Sequence, residues 1–395
     1  MAFHFVYDRA YDHRPWPNLT PVEPVKDGSF RRLGDSWPRI APCRLLMYCE
    51  DHAYPYTVSY VTDTIPAGAW YPIGLAWFDH DLDYFALIPE NTLDLVRNRQ
   101  LTVLFYYHEG DNPVREKQRL DALCRAHGLD SQCYRFVSGN TAAAALEGFV
   151  WFCDHELFYW HADQSALQDL GPLAHDRVRP YTFTLLSRVH KWWRATVVAH
   201  LRDLGLLDRA QWSYGVESCG DLAENNPIET VQLPGLDLSQ FVAGAPYRCD
   251  TLTAEQHNDH RHQVDSLYTD SYLSVVLETL YDAEQSGGAF ITEKTFKAVR
   301  NGHPFVLFGC VSSLAAVQSL GYRTFSSEID ETYDTVQHNS QRFATTVRAL
   351  LQVLAQGNLH QWYQRLGPVI QYNQRLFAAS KYSRLETLEQ QLQNP

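Results

Sequence analysis

The chain has 395 residues, 45% hydrophobic and 20% charged, so it carries enough apolar surface to offset ordering entropy and is not a disordered chain. At about 100–200 residues per domain, this length predicts two domains. Lys and Arg total 33 against 46 Asp and Glu; the net charge of −13 repels phosphate backbones and disfavours a nucleic-acid binder, while leaving room for a local basic cleft.

No apolar run reaches the ~18 residues that a membrane-spanning helix needs. The first residues (MAFHFVYD) lack a basic stretch followed by an apolar core, so a cytoplasmic location is expected. The 8 cysteines are scattered with no CxxC pair, which predicts buried reduced thiols and no zinc site.

Residues 1–42 are rich in Pro, Arg and Trp and read as irregular. Arg44–Glu50 (RLLMYCE) reads as a short buried strand. Leu93–Arg97 is predicted helical and Leu101–Tyr107 (LTVLFYY) a strong strand. His108-Glu109-Gly110-Asp111-Asn112-Pro113 then breaks the pattern as a loop at the strand's carboxyl end. A helix over 114–127 and a strand over 136–138 complete an α/β rhythm. Pro172–Pro180 is the candidate linker, which sets the predicted domains at 1–175 and 176–395.

Tyr181–Ser187 is the next predicted strand, followed by a helical segment, 188–207, that is basic at its start. Ser271–Glu278 reads as a buried strand, and Thr292 is placed to cap a helix over 293–301 that ends at Gly302. Pro304–Phe308 is a strand, Ser313–Leu320 a helix and Tyr322–Phe325 a third strand. This β-α-β-α-β order with short connections implies parallel strands. A long helix over 340–355 and one or two helices over 359–393 follow.

Open α/β sheets bind ligands at the carboxyl ends of their strands. In the C-terminal half those ends carry Arg188, His190, Lys191 and Arg194, the loop leading to Glu293 and Lys294, and Gly309 with Ser312 and Ser313 at a helix start. Cations and helix N-termini together suit a diphosphate, and Glu293 beside Lys294 offers a ribose acceptor next to a phosphate donor. The alternative is a surface pair between Glu293 and Lys297 at i,i+4. GxGxxG after a strand and GxxxxGK[ST] are both missing, which argues against a dinucleotide oxidoreductase and a P-loop NTPase.

The stretch Phe290–Val306 (FITEKTFKAVRNGHPFV) resembles the nucleotide-sugar-binding segment of GT-B glycosyltransferases, in particular that of α1,3-fucosyltransferases and exostosin-like transferases. The resemblance implies two Rossmann-like domains facing a cleft, with a nucleoside-diphosphate sugar as co-substrate and no cofactor. It places ribose binding on Glu293 and diphosphate binding on Lys294; Lys297, on the same predicted helix, is a further candidate for the diphosphate. The family's upstream Arg falls on Arg188 or Arg194. Gly321–Asp334 resembles a block of bacterial and phage glycosyltransferase-like proteins.

An inverting transfer needs a base on the acceptor side, and Glu109, Asp111 and His108 are its candidates; Asp111-Asn112-Pro113 could equally form a turn that caps a helix. The DxD spacing in Asp79-His80-Asp81-Leu82-Asp83 reads as a solvated turn rather than a metal site. The cluster at His257, Asp259, His260 and His262 matches no common zinc signature and reads as a polar loop. Asp330, Glu331 and Asp334 are either an acidic functional patch or a turn before a helix. Trp192 and Trp193 read as core, and Trp16, Trp37, Trp70 and Trp77 could line a sugar platform.

The activity that the resemblance implies is transfer of a sugar to a hydroxyl of a glycan or small molecule, without a metal. The alternatives are modification of hydroxylated DNA bases and a non-catalytic sugar-nucleotide or glycan binder of the same fold.

Overall fold

The computed structural model describes residues 2–7, 40–41, 44–61, 63–75, 78–160, 177–217, 226–229, 233, 235–249 and 265–393. The chain divides into two α/β units: unit 1, Met1–His161 with Ser380–Pro395, and unit 2, Ala162–Ala379.

Unit 1 contains β1 (Phe3–Tyr7), β2 (Ile40–Ala41), β3 (Tyr56–Tyr60), β4 (Trp70–Leu75), β5 (Thr102–Tyr107), β6 (Tyr134–Ser138) and β7 (Phe149–Trp151). Their order is β3-β1-β4-β5-β6-β7, all parallel, with β2 antiparallel to β4. Its helices are α1 (Arg44–Asp51), α2 (Glu90–Arg97), α3 (Pro113–Ala126) and α4 (His155–Trp160). The alternation along β5 divides the core. Val103, Phe105 and Tyr107 join Leu93, Val96, Leu120 and Leu123 of α2 and α3 on one face. Leu104 and Tyr106 join Leu45, Tyr48 and Cys49 of α1 on the other. A sheet covered on both faces reads as a continuous apolar run, and TVLFYY is one.

Arg44–Asp51 is a helix, not the predicted strand. Leu45, Tyr48 and Cys49 recur at i, i+3 and i+4 and are all buried, which is the helical period.

Unit 2 contains β8 (Tyr181–Val189), β9 (Gln211–Glu217), β10 (Ser271–Leu277) and β11 (Phe305–Phe308), parallel throughout in the order β11-β10-β8-β9. Its helices are α5 (Trp192–Asp203), α6 (Leu238–Ala243), α7 (Asp265–Thr269), α8 (Ala283–Ser286), α9 (Glu293–Arg300), α10 (Ser313–Ser319), α11 (Asn339–Leu354), α12 (Leu359–Arg365) and α13 (Gly367–Ala379). The parallel β10-α9-β11 unit is present as predicted, and Gly302 after α9 has φ 65°, in the left-handed region. Tyr322–Phe325 is not a strand. Side chains meet its backbone instead: Asn373 Oδ1 accepts from Arg323 N at 2.9 Å and Glu331 Oε1 from Phe325 N at 2.6 Å.

The division differs from the predicted one at both ends. It falls after residue 161, and α14 (Lys381–Gln393) returns to unit 1. The reason is packing: Leu385, Leu388 and Leu392 join Phe3, Phe5 and Leu157 in one core. Most of the predicted linker lies outside the described residues.

A buried hub ties β8 to the start of β10. Arg179, just ahead of β8, donates to the carbonyls of Tyr268 and Ser271 at 3.0 and 2.5 Å and to the Tyr363 hydroxyl at 2.8 Å. His303 Nε2 donates to Tyr268 O at 2.5 Å, so Nδ1 accepts from Ser274 Oγ at 3.0 Å. Burial, then the Arg179 charge, push the His303 imidazole down to about 3. An unfolded histidine titrates near ~6.5. The unfolded state therefore binds the proton first on acidification, and this contribution to stability is present above about 6.5 and lost toward 3. Urea midpoints from pH 7 to pH 5 are expected to show it. Wild type should lose up to ~1.4 kcal/mol per pH unit more than His303→Gln, and equal slopes would contradict a neutral His303.

Candidate functional site

The strand order of unit 2 reverses between β8 and β10: β9 lies to one side of β8, while β10 and β11 lie to the other. The carboxyl ends of β8 and β10 form the crevice where such sheets bind ligands. The predicted donor-binding residues fall on the segments leaving those two strands.

Arg188 is the penultimate residue of β8 and is partly exposed. The β8–β9 register shifts between Ser187 and Val189, and Arg188 lies at that irregularity. Gly215 of β9 packs on its backbone: a Cβ there would lie 2.1 Å from Arg188 O, so only glycine fits. Lys191 Nζ donates to Thr279 O at 2.7 Å. Arg194 Nη2 and Nε donate to Glu278 O at 2.7 and 3.3 Å, and Nη1 to Val189 O at 3.3 Å. Both side chains are buried and bind main chain, tying the β8–α5 turn to the end of β10. Lys294 Nζ, 28% exposed, reaches Glu293 Oε1 at 3.0 Å, Thr292 Oγ1 at 3.1 Å and Thr279 Oγ1 at 3.4 Å. Lys191, Arg194 and Lys294 thus meet Glu278 and Thr279, with Glu293 paired to Lys294, while Arg188 lies at the end of the neighbouring β8. Lys297, partly buried, is one turn further along α9. His190 Nδ1 lies 2.6 Å from the Tyr214 hydroxyl, and burial pushes its imidazole below the usual range.

Both helix N-termini expected to face a phosphate already face a carboxylate of the chain. Glu278, fully buried, accepts from Thr292 N at 3.2 Å, Thr292 Oγ1 at 2.5 Å and Thr295 Oγ1 at 2.6 Å at the start of α9. Thr292 occupies the N-cap position, but its hydroxyl donates to Glu278 instead of capping α9. Asp334 accepts from Leu314 N at 2.8 Å and Ala315 N at 3.0 Å at the start of α10. Glu278 had no role in the sequence reading; an acid directly after a buried apolar strand was its signal. Asp330 and Glu331 accept backbone N–H groups of Thr332 and Phe325, so the acidic patch builds a turn.

Arg342, 1% exposed, is the other residue that sequence missed. It donates to Gly309 O at 3.1 Å, Tyr281 O at 2.5 Å, Val336 O and Gln337 O at 2.9 Å, and Asn339 Oδ1 at 2.6 Å. Its guanidinium lies 4.6 Å from the Tyr281 ring centroid, and Tyr281 stacks on buried Trp193. This arginine holds the segments that leave β10 and β11.

In unit 1 the loop after β5 carries the predicted base candidates. His108 Nε2 lies 3.3 Å from Glu109 Oε1, and the His155 ring lies 6.4 Å from that of His108. Burial, then Arg44, hold the His108 imidazole below its ordinary range, against the opposing pull of Glu109 and Asp154. Burial would raise the Glu109 carboxyl, but His108, His155 and Arg44 outweigh it and keep it at about 2. A neutral imidazole beside a fixed carboxylate can accept a proton. Asp111 is separate from this pair: it accepts from the Tyr107 hydroxyl. Beneath it Glu116 is fully buried with no hydrogen-bond partner, and burial, then Asp111, push its carboxyl well above the usual range. Asn112 accepts from Val114 N and caps α3, the turn alternative for that segment.

The DxD segment forms a turn: Asp79 accepts from Asp81 N, and Asp83 accepts from Phe85 N and Ala86 N. Among the described residues no cluster of three metal-binding side chains occurs. None of the described helices is long and apolar enough to cross a membrane. Trp70 and Trp193 are buried. The histidine cluster at 257–262 and Trp16, Trp37 and Trp77 lie outside the described residues. No protein-family model, curated protein or solved structure matches this chain.

Proposed function

We propose that the chain is a GT-B-type glycosyltransferase that binds a nucleoside-diphosphate sugar in unit 2 and a hydroxyl acceptor in unit 1. One observation carries the reading: the strand-order reversal of unit 2 falls where Arg188 ends β8 and where Lys294, paired with Glu293, meets Thr279 just after β10. Arg194 and Lys191 bind main chain, so they position this site, and diphosphate contact falls to Arg188 and Lys294. Glu293 accepts the ribose hydroxyls. With both helix ends facing internal carboxylates, the leaving charge is met by side-chain cations.

In the reaction the bond from the sugar's anomeric carbon to the diphosphate oxygen breaks and one to the acceptor oxygen forms. The acceptor's proton passes to His108, whose Nε2 faces Glu109.

Calorimetry with UDP, GDP, CDP, ADP and dTDP tests this. At least one is expected to bind, and Lys294→Ala should weaken it tenfold or more, about 1.4 kcal/mol. The reading fails if none binds, or if Lys294→Ala leaves the affinity unchanged.

A further inference from the structure

We propose that Asp154 and His155 complete, with His108, Glu109 and Arg44, a binding site for the vicinal hydroxyls of a neutral sugar or polyol at the carboxyl ends of β5 and β7. The inference deepens the reading of unit 1 as the acceptor side and rests on it for the fate of the bound hydroxyl.

Two acid–histidine neighbours meet here: His108-Glu109 directly after β5, and Asp154-His155 shortly after β7. Asp154 is 1% exposed. Its Oδ2 accepts from the hydroxyls of Tyr48 at 3.3 Å and Tyr106 at 3.2 Å. Its Oδ1 is buried and has no hydrogen-bond partner. A buried carboxylate oxygen left open is costly unless a ligand donor meets it. Glu109 has 40% of its side chain exposed and lies 3.3 Å from the buried His108, whose ring is 6.4 Å from that of His155.

The chemistry of the set selects the ligand. Glu109 and Asp154 accept hydrogen bonds, Arg44 donates them, and the histidines do either. Two carboxylates against the single guanidinium of Arg44 leave the set net negative and disfavour a phosphate. They suit hydroxyl groups, which donate and accept at once. One hydroxyl donates to the His108 ring nitrogen that does not face Glu109, and the adjacent hydroxyl donates to Asp154 Oδ1. Loss of the first proton to that nitrogen, with Glu109 holding the imidazolium, leaves the acceptor oxygen ready to attack.

The test follows histidine ring signals by NMR in the full chain, titrated with methyl α-D-mannopyranoside, methyl β-D-galactopyranoside and myo-inositol. His108 and His155 are expected to shift saturably with at least one of them, in the millimolar range usual for a lone sugar. Asp154→Asn should weaken that response at least tenfold, and Glu109→Gln, on a more exposed side chain, gives the same readout should Asp154→Asn fail to fold. No saturable shift up to about 100 mM of any probe, or a response to inorganic phosphate instead, overturns the proposal. Nucleoside-diphosphate binding measured on the same sample separates the two ideas. Diphosphate binding with silent histidines sinks this site alone, while responsive histidines without diphosphate binding sink the donor reading and keep this site.

Discussion

Glu156→Ala is expected to lower the unfolding free energy by about 3–5 kcal/mol, the usual cost of removing one side of a buried ion pair. Glu156 is fully buried, and three side chains at the start of α14 donate to it: Ser380 Oγ at 2.5 Å, Lys381 Nζ at 3.2 Å and Arg384 Nε at 2.9 Å. Lys381 is itself 4% exposed; burial pushes its ammonium down to about 8 although Glu156 opposes the shift. Without the carboxylate, that ammonium must lose its proton or be hydrated by opening of α14. Urea unfolding and hydrogen exchange across 381–393 measure the effect. Glu156→Gln keeps part of the hydrogen bonding and should fall between the two. The double variant Glu156→Leu with Lys381→Met removes the two fully enclosed charges, leaves the partly exposed Arg384 to solvent, and should recover much of the loss. A Glu156→Ala midpoint matching wild type would show that the pair does not hold α14.

Arg342→Met is expected to cost a comparable amount, about 3–5 kcal/mol, because five acceptors lose a charged donor while the chain volume is largely kept. The same change should weaken nucleoside-diphosphate binding, since Tyr281 and Gly309 flank the loops that leave β10 and β11. Arg342→Lys should restore little: one ammonium cannot reproduce the planar fork that spans Gly309, Tyr281 and Val336. Thermal unfolding together with calorimetry separates stability from binding. A well-folded Arg342→Met protein with undiminished binding would remove Arg342 from any supporting role at the site.

Much of the architecture is legible in sequence where one period dominates. LTVLFYY, SYLSVVL and PFVLF are apolar runs too short for helices and become strands buried on both faces. RLLMYCE is equally short and apolar, but it folds as a helix because only one of its faces meets a core. In α14 the spacing of Leu385, Leu388 and Leu392 announces an amphipathic helix, yet periodicity cannot say which core receives it. Glu293, Lys294 and Arg188 are legible in sequence as charged groups on the segments that leave β10 and end β8. The partners of Glu278, Asp334 and Arg342 are not, because they lie far along the chain: Glu278 meets Thr292 and Thr295, Asp334 meets Leu314 and Ala315, and Arg342 meets Gly309 and Tyr281. No local pattern records such partners.

The return of α14 to unit 1 also sets an order of events during synthesis. All of unit 2 leaves the ribosome before residues 381–393 do, so its sheet can close while the first unit still lacks a wall of its core. Until then Phe3, Phe5 and Leu157 present an apolar surface to the nascent chain's surroundings, and the fully buried Glu156 has yet to meet Lys381 and Arg384. The first strand made thus waits for the last helix made before its core is closed.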